Sequence, residues 1–106
     1  MKLFSKRCIQ VIQTIPTGKV MTYGSIAEAA GNPQGSRQVA RLLSSSSKKY
    51  HLPWHRVVNS KGKISLKPEQ GKELQEALLA NEGVGIQDGI IDLSIYARGA
   101  CTVDPS

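Results

Sequence analysis

Apolar residues recur at helical spacing over the first stretch of the chain. Leu3, Phe4, Cys8, Val11, Ile12 and Ile15 fall on one face, and Lys6, Arg7, Gln10 and Gln13 on the other. This pattern predicts an amphipathic helix from Leu3 to Ile15. Pro16-Thr17-Gly18-Lys19 supplies a stop and a turn, and Val20-Met21-Thr22-Tyr23 is extended at most. A second, short helix is predicted to run to about Ala30, capped by either Thr22 or Ser25. Ser25 and Glu28 have capping-box spacing, and Gly31 suits the position just past a helix end. Asn32-Pro33 then predicts the opening of a third helix, because Asn accepts hydrogen bonds from free helix N–H groups and Pro is pre-shaped for the first turn. Two short helices joined by a tight Gly-containing turn form a helix-turn-helix signature.

Along the third helix Val39, Leu42 and Leu43 make the inward stripe, leaving Gln34, Arg37, Gln38 and Arg41 outward. That face is either a groove reader or an ordinary solvated surface. Ser44 to Lys49 is polar, of low complexity and without an apolar anchor, so a loop is expected, with Lys48 and Lys49 placed to contact phosphates. Val57-Val58-Asn59 and Lys63-Ile64-Ser65, joined by Ser60-Lys61-Gly62, are predicted as two short strands and a turn, in effect a wing. Pro68 to Asn81 is predicted as a fourth helix burying Leu74, Ala77, Leu78 and Leu79 and ending at Gly83. Ile86, Ile90, Ile91, Leu93 and Ile95 are expected to close the core. The pattern thus gives a mainly α fold with a small β component, a winged helix-turn-helix over residues 1–97, followed by a frayed tail from 98 to 106.

A chain of 106 residues accommodates one such domain and one core, with neither repeats nor a linker. The formal charge of +6 favours an anionic partner such as nucleic acid, though a solvated basic face gives the same total. Cys8 and Cys101 are too few for a disulfide framework, and their spacing fits no zinc pattern. No apolar run approaches the roughly 20 residues of a membrane span. A soluble, cytoplasmic monomer without metal or cofactor is expected.

Pro53-Trp54-His55-Arg56-Val57-Val58 carries the chemistry. It resembles the active-site string of the alkylguanine-DNA alkyltransferases, which have Cys in the second place. Gly18-Lys19-Val20 with Thr22-Tyr23-Gly24, Gly31-Asn32-Pro33 followed by Arg37, and Leu78-Leu79 with Glu82-Gly83 match in the same order, so the resemblance spans about Phe4 to Leu93. In that family the thiolate accepts the alkyl group and the adjacent His relays a proton through water and a Glu. An indole offers no ionisable nucleophile near neutral pH, so Trp54 excludes dealkylation by this mechanism. Neither cysteine has a neighbouring His or a helix N-terminus to make it a substitute. With Trp54 in this place the chain is similar to the alkyltransferase-like branch of the family.

The resemblance implies a protein that binds O6-alkylguanine in double-stranded DNA by flipping the nucleotide, shields it, and directs it to nucleotide excision repair proteins. His55 and Glu82 then hold the pocket by hydrogen bonding, as a relay with nothing to deprotonate. Tyr23 matches the tyrosine that helps rotate the nucleotide, the other reading being a core plug. Arg37 matches the arginine that fills the vacated stack, the other reading being a phosphate contact. Tyr23, Trp54, Val57 and Lys67 form the expected lesion pocket; Lys67 and Pro68 stand near the positions where the transferases have an aromatic and a small polar residue, with Lys67 placed for a cation–π contact with the base. Tyr23, Gln34, Arg37, Gln38, Arg41, Lys48 and Lys49 form the expected DNA surface. The competing functions are a sequence-specific winged-helix regulator reading through Gln34, Gln38 and Arg41, and an enzyme with a different reaction on damaged bases.

Overall fold

The computed structural model of the protein describes residues 3–64, Leu66 and residues 68–98. Helix α1 (Leu3–Gln13) buries Cys8, Ile9, Val11 and Ile12. Leu3, expected on the inward stripe, is instead exposed at the first turn, and Ile9 takes a place inside. Strand β1 (Met21–Thr22) leads directly into α2 (Tyr23–Ala29). Thr22 is the cap. Its hydroxyl accepts from the Ser25 N–H at 3.0 Å while Ser25 Oγ accepts from the Thr22 N–H at 3.0 Å, so the capping box joins 22 to 25 rather than 25 to 28. Such a cap contributes roughly 1 kcal/mol.

The third helix starts later and ends later than its sequence suggests. Asn32-Pro33-Gln34 forms a turn, with Asn32 Oδ1 accepting from the Gln34 N–H at 3.2 Å, and α3 runs Ser36–Tyr50 from an N-cap at Gly35. Gly35 is buried against Phe4, where a Cβ would lie 2.5 Å from the ring. The first residues of α3 therefore sit hard against α1, and a side chain at position 35 would require the Phe4 ring to move.

The serine run expected as a loop is helical. Serine is a mediocre helix former, not a breaker, and both ends of the run are held. Leu43 is buried before it; beyond it Tyr50 packs on the core and Leu52 is buried. The Ser47 hydroxyl donates to the Leu43 carbonyl, and His51, at φ 52°, ends the helix in the left-handed conformation with its N–H on Ser47 O. The anchor that seemed missing lies just downstream of the run.

Strand β2 (Val57–Val58) pairs in parallel with β1, in the register Met21 with Val57 and Thr22 with Val58, and not with Lys63 and Ile64 as expected; Ser65, the last residue of that expected strand, lies outside the described residues. The alternation of side chains across this pair divides the core. Met21 and Val57 face a cluster built with α1, α2 and α3; Val20 and Val58 face a second cluster with Ile64, Leu79, Val84 and Ile91. The 59–63 turn does form, with Asn59 Oδ1 accepting from the N–H groups of Lys61 and Lys63, both at 2.9 Å. Lys63 then bridges to Ile90. The hairpin is β3 (Ile86–Gln87) with β4 (Ile90–Ile91), turned by Asp88 and Gly89 at φ 54° and 74°, the Asp-Gly type I′ signal.

Residues 68–81 are two elements, a 3-10 turn Pro68–Gln70 and helix α4 (Lys72–Asn81), broken at Gly71 with φ 103°. The break sets the phase of α4. Gln75 and Leu79, one turn apart, face inward, whereas Leu74 is exposed and Ala77 lies outside. Of the C-terminal isoleucines only Ile91 is buried; Ile90 and Ile95 are exposed. Helix α5 (Leu93–Tyr96) is capped by Asp92. Fraying does not begin at residue 98: the Arg98 N–H donates to Val20 O at 2.9 Å and its guanidinium to Thr14 Oγ1 at 2.6 Å. Residues 99–106 lie outside the described residues.

Candidate nucleic-acid interface and base pocket

The turn between α2 and α3 sets α3 on the surface with Arg37, Gln38, Arg41, Lys48 and Lys49 exposed. Arg37, Arg41 and Lys48 follow one another at helical spacing, so their charges share a stripe. Gln34, expected on this helix, is exposed in the preceding turn instead. Lys48 and Lys49 occupy the last turn of α3, where cations also complement the carbonyl end of the helix, and Lys49 Nζ lies 5.4 Å from the centre of the Tyr50 ring.

The flank of α3 next to this stripe carries Ala40, Leu43, Ser44 and Ser47. It forms one wall of a cavity of about 450 Å³ whose other walls are Tyr23, Trp54, Val57, Leu66, Gln70 and Gln75. Its volume falls within the usual range for small-molecule sites. Tyr23 and Trp54 are half-buried and both pack on the α1–α2–α3 core cluster. Three of the four expected pocket residues, Tyr23, Trp54 and Val57, thus meet around one space. Lys67 lies outside the described residues.

Trp54 opens a 3-10 turn, Trp54–Arg56, which carries the chain from Leu52 into β2. The start of α4 abuts the indole: a Cβ on Gly71 would stand 4.0 Å from Trp54 Cη2. The His55 ring stands edge-on to the indole, at 86° and 6.1 Å between centroids, and points the other way, toward the end of α4. There His55 Nε2 is 2.6 Å from Glu82 Oε2. A carboxylate only accepts, so Nε2 carries the proton.

Glu82 has other partners that sequence reading missed. Arg56 places Nε 3.0 and 3.1 Å from its two oxygens and Nη2 2.8 Å from Oε2, while the Gly18 N–H donates to Oε1 at 3.0 Å. Arg56 also donates to Ile15 O at 2.9 Å and Thr17 Oγ1 at 3.0 Å. Burial pushes the Glu82 pKa up, but the hydrogen bonds from Arg56, Gly18 and His55 outweigh it and hold the carboxyl at about 2. An arginine inside the motif and a glycine in a turn carried the signal, since a fork of donors fits a carboxylate.

Gln75 was missed as well. It is 2% exposed, and its Nε2 donates to His55 O at 3.1 Å and Val57 O at 3.0 Å, tying α4 to the backbone beside Trp54. Cys8 is fully buried, and burial pushes its thiol up to about 11. Cys101 lies outside the described residues. Among the described residues no group of three or more His, Cys, Asp or Glu is placed to hold a metal ion, and no helix is long and apolar enough to cross a membrane.

A family model described as 6-O-methylguanine DNA methyltransferase, DNA binding domain, matches residues 3–84, from α1 to just past Glu82. The chain belongs to this family. Within it, the chain is 45% identical over 94 residues to a DNA base-flipping protein of Escherichia coli strain K12, covering 88% of this chain and 72% of that protein. It is 43% identical over 99 residues to a DNA base-flipping protein of Vibrio parahaemolyticus, covering 91% of this chain and 96% of that one. Its fold is similar to the crystal structure of Schizosaccharomyces pombe Atl1 in complex with damaged DNA containing O6-carboxymethylguanine. The TM-score is 0.82 at 35% identity, over 92% of this chain and 98% of that one. The family's DNA-binding domain thus accounts for the helix-turn-helix, the motif and the α4 end that bears Glu82, and the mainly helical fold with few strands agrees with the sequence reading.

Proposed function

We propose that this chain binds O6-alkylguanine in duplex DNA by rotating the damaged nucleotide into the cavity between Tyr23 and Trp54, and that it leaves the alkyl group in place. The observation that carries the reading is Trp54 itself. It stands on the cavity wall, in the motif position where the family's transferases have their thiol, with the His55–Glu82 pair intact behind it. The buried Cys8 thiol offers no substitute nucleophile, being held protonated near neutral pH. Two relatives named as base-flipping proteins, and a structural neighbour bound to DNA containing an O6-alkylated guanine, support the same reading.

Arg37 and Arg41 are exposed on α3 beside the residues that wall the cavity, so the helix that enters a groove also flanks the pocket. Arg37 fills the space left by the rotated base, and the basic stripe neutralises phosphates. A lesion with weakened pairing costs less to extrude than a paired guanine, which gives preference without chemistry. The shielded lesion is then handed to nucleotide excision repair.

The test is affinity for matched duplexes carrying guanine or O6-methylguanine at one fixed salt concentration, because phosphate contacts make all such affinities salt-dependent. Preference for the lesion supports the reading, and equal affinity overturns it. Recovery of the intact methylated base after incubation with excess protein is expected; loss of the methyl group or of the base points to an enzyme instead.

A further inference from the structure

The charge of the chain is divided along its length. Every Lys and Arg except Arg98 lies at or before Lys72, whereas Glu73, Glu76, Glu82, Asp88 and Asp92 follow with no Lys or Arg among them. The same stretch holds Leu74, Ile90 and Ile95, three of the four large apolar side chains exposed among the described residues. Such side chains scattered singly are ordinary, but two of these converge. Ile90 and Ile95 line an open groove of about 680 Å³ with Ile86 and Tyr96, and its carboxylates are Asp88 and Asp92. Lys19 reaches this region with Nζ on the Ile95 carbonyl at 3.2 Å, and Lys72 stands beside Gly89; neither lines the groove. The groove shares no lining residue with the base cavity. Ile86 and Tyr96 pack on the cluster of Val20, Val58 and Ile91, whereas Val39 and Leu43 of α3 belong to the cluster that Met21 and Val57 face from the other side of the β1–β2 pair.

We propose that the groove formed by the β3–β4 hairpin and α5 docks a protein partner, through a segment in which Lys or Arg flanks a bulky apolar side chain, while α3 holds DNA. Asp88 and Asp92 repel phosphates, so this face stays clear of the duplex and open in the loaded complex. The partner's cations meet the two carboxylates and set its orientation. Its apolar side chain covers Ile90 and Ile95, and removing that surface from water supplies most of the affinity. The inference rests on the DNA-binding reading above for its division of faces. It deepens that reading by giving the hand-over of a shielded lesion a surface of its own.

The probe is a short peptide of alternating leucine and lysine, titrated into DNA-free protein and followed by amide NMR shifts, with a leucine–glutamate peptide of the same length as its counterpart. Shifts are expected to gather at residues 85–96, and the glutamate peptide is expected to bind far more weakly. Ile95→Gln is expected to weaken the lysine peptide about tenfold, the scale of one apolar side chain left uncovered. Asp88→Asn removes the charge with a side chain that tolerates φ 54°, and is expected to cost about threefold, a loss that disappears at high salt. Both variants are expected to bind an O6-methylguanine duplex as the wild type does. Shifts centred on α3, equal binding of the two peptides, or lost DNA affinity in either variant overturns the assignment. So do the same amides shifting with protein concentration alone, which would give the groove to a second copy of the chain. The wild-type titration decides even if neither variant folds. Because that titration contains no DNA, the base-flipping reading fails separately, if the wild type binds O6-methylguanine no better than guanine.

Discussion

His55 Nε2 sits 2.6 Å from Glu82 Oε2, tying the residue after Trp54 to the end of α4 across 27 positions of sequence. With Arg56 on both oxygens of the same carboxylate and the Gly18 N–H on one of them, Glu82 fastens the motif, α4 and the turn after α1 together. In a transferase such a pair would serve a thiol. In the function proposed above its work is mechanical.

That role has a pH signature. Burial raises the Glu82 pKa and its hydrogen-bond donors lower it further, from 4.5 to about 2. Between those values the unfolded chain takes up a proton that the folded chain does not. Glu82 therefore stabilises the fold fully above pH 4.5, and its contribution is lost as pH falls toward 2. Denaturant melts of the wild type and Glu82→Gln from pH 2 to pH 6 are expected to converge at the acid end. A stability gap that is constant with pH would show that the carboxylate charge is not what matters.

Gly62 is the tightest glycine among the described residues. At φ 79° it lies in the left-handed region, and a Cβ there would stand 2.2 Å from the carbonyl oxygen of Ile91. Gly62 O in turn accepts from the Ile91 N–H at 2.9 Å, so the clash cannot be relieved without losing the link between the 59–63 turn and β4. Gly62→Ala is expected to destabilise the protein by about 2 kcal/mol or more, from strain and displaced backbone together. Thermal and urea unfolding measure this. A variant as stable as the wild type would mean the turn moves freely.

The elements most legible in the sequence are those in which local signals and packing agree. Cys8, Val11, Ile12 and Ile15 announce α1, and the helix-turn-helix follows from its caps and turn. Reading failed where distant partners decide. Ser44 to Lys49 is helical because Tyr50 and Leu52 dock beyond it, and Gln75 is inside because Leu79 and the break at Gly71 fix the phase of α4. Val57 and Val58 turn to β1 rather than to the next apolar run, since a parallel partner 36 positions away leaves no local trace. The Asp88-Gly89 turn, by contrast, is a local signal, an Asp-Gly pair set between Ile86 and Ile90-Ile91. At the site, Tyr23, Trp54, Val57, His55 and Glu82 came from the motif resemblance. Arg56 and Gln75 needed coordinates, because their partners are backbone carbonyls and a carboxylate far along the chain.

Arg37 is exposed in the first turn of α3, next to the cavity flank of that helix, whereas Lys48 lies at the far end. The two positions are expected to respond differently to removal of charge. Arg37→Ala is expected to weaken binding to an O6-methylguanine duplex by about tenfold or more while lowering affinity for undamaged DNA much less, since filling the vacated stack matters only once a base has left it. Lys48→Ala is expected to weaken both alike and to reduce the salt slope by about one counterion. Titrations of the two duplexes at several salt concentrations separate these outcomes. Equal losses for Arg37→Ala on both duplexes would assign Arg37 to the phosphates.

Trp54→Cys asks whether the reaction can be put back. Nε2 of His55 is bound to a carboxylate and carries its proton, so in the neutral ring Nδ1 is the basic nitrogen; it has no hydrogen-bond partner among the described residues. A thiol at position 54 would stand on the cavity wall beside that ring, and a base within reach raises the thiolate fraction. Slow methyl transfer from O6-methylguanine DNA to the new cysteine is expected, seen as a mass gain of one methyl group on the peptide that contains position 54. Adding Glu82→Gln should suppress it, by loosening the histidine. No methylated peptide after prolonged incubation would show that an intact His55–Glu82 pair is insufficient, and that the pocket around Trp54 has been reshaped for holding a lesion rather than for reacting with it.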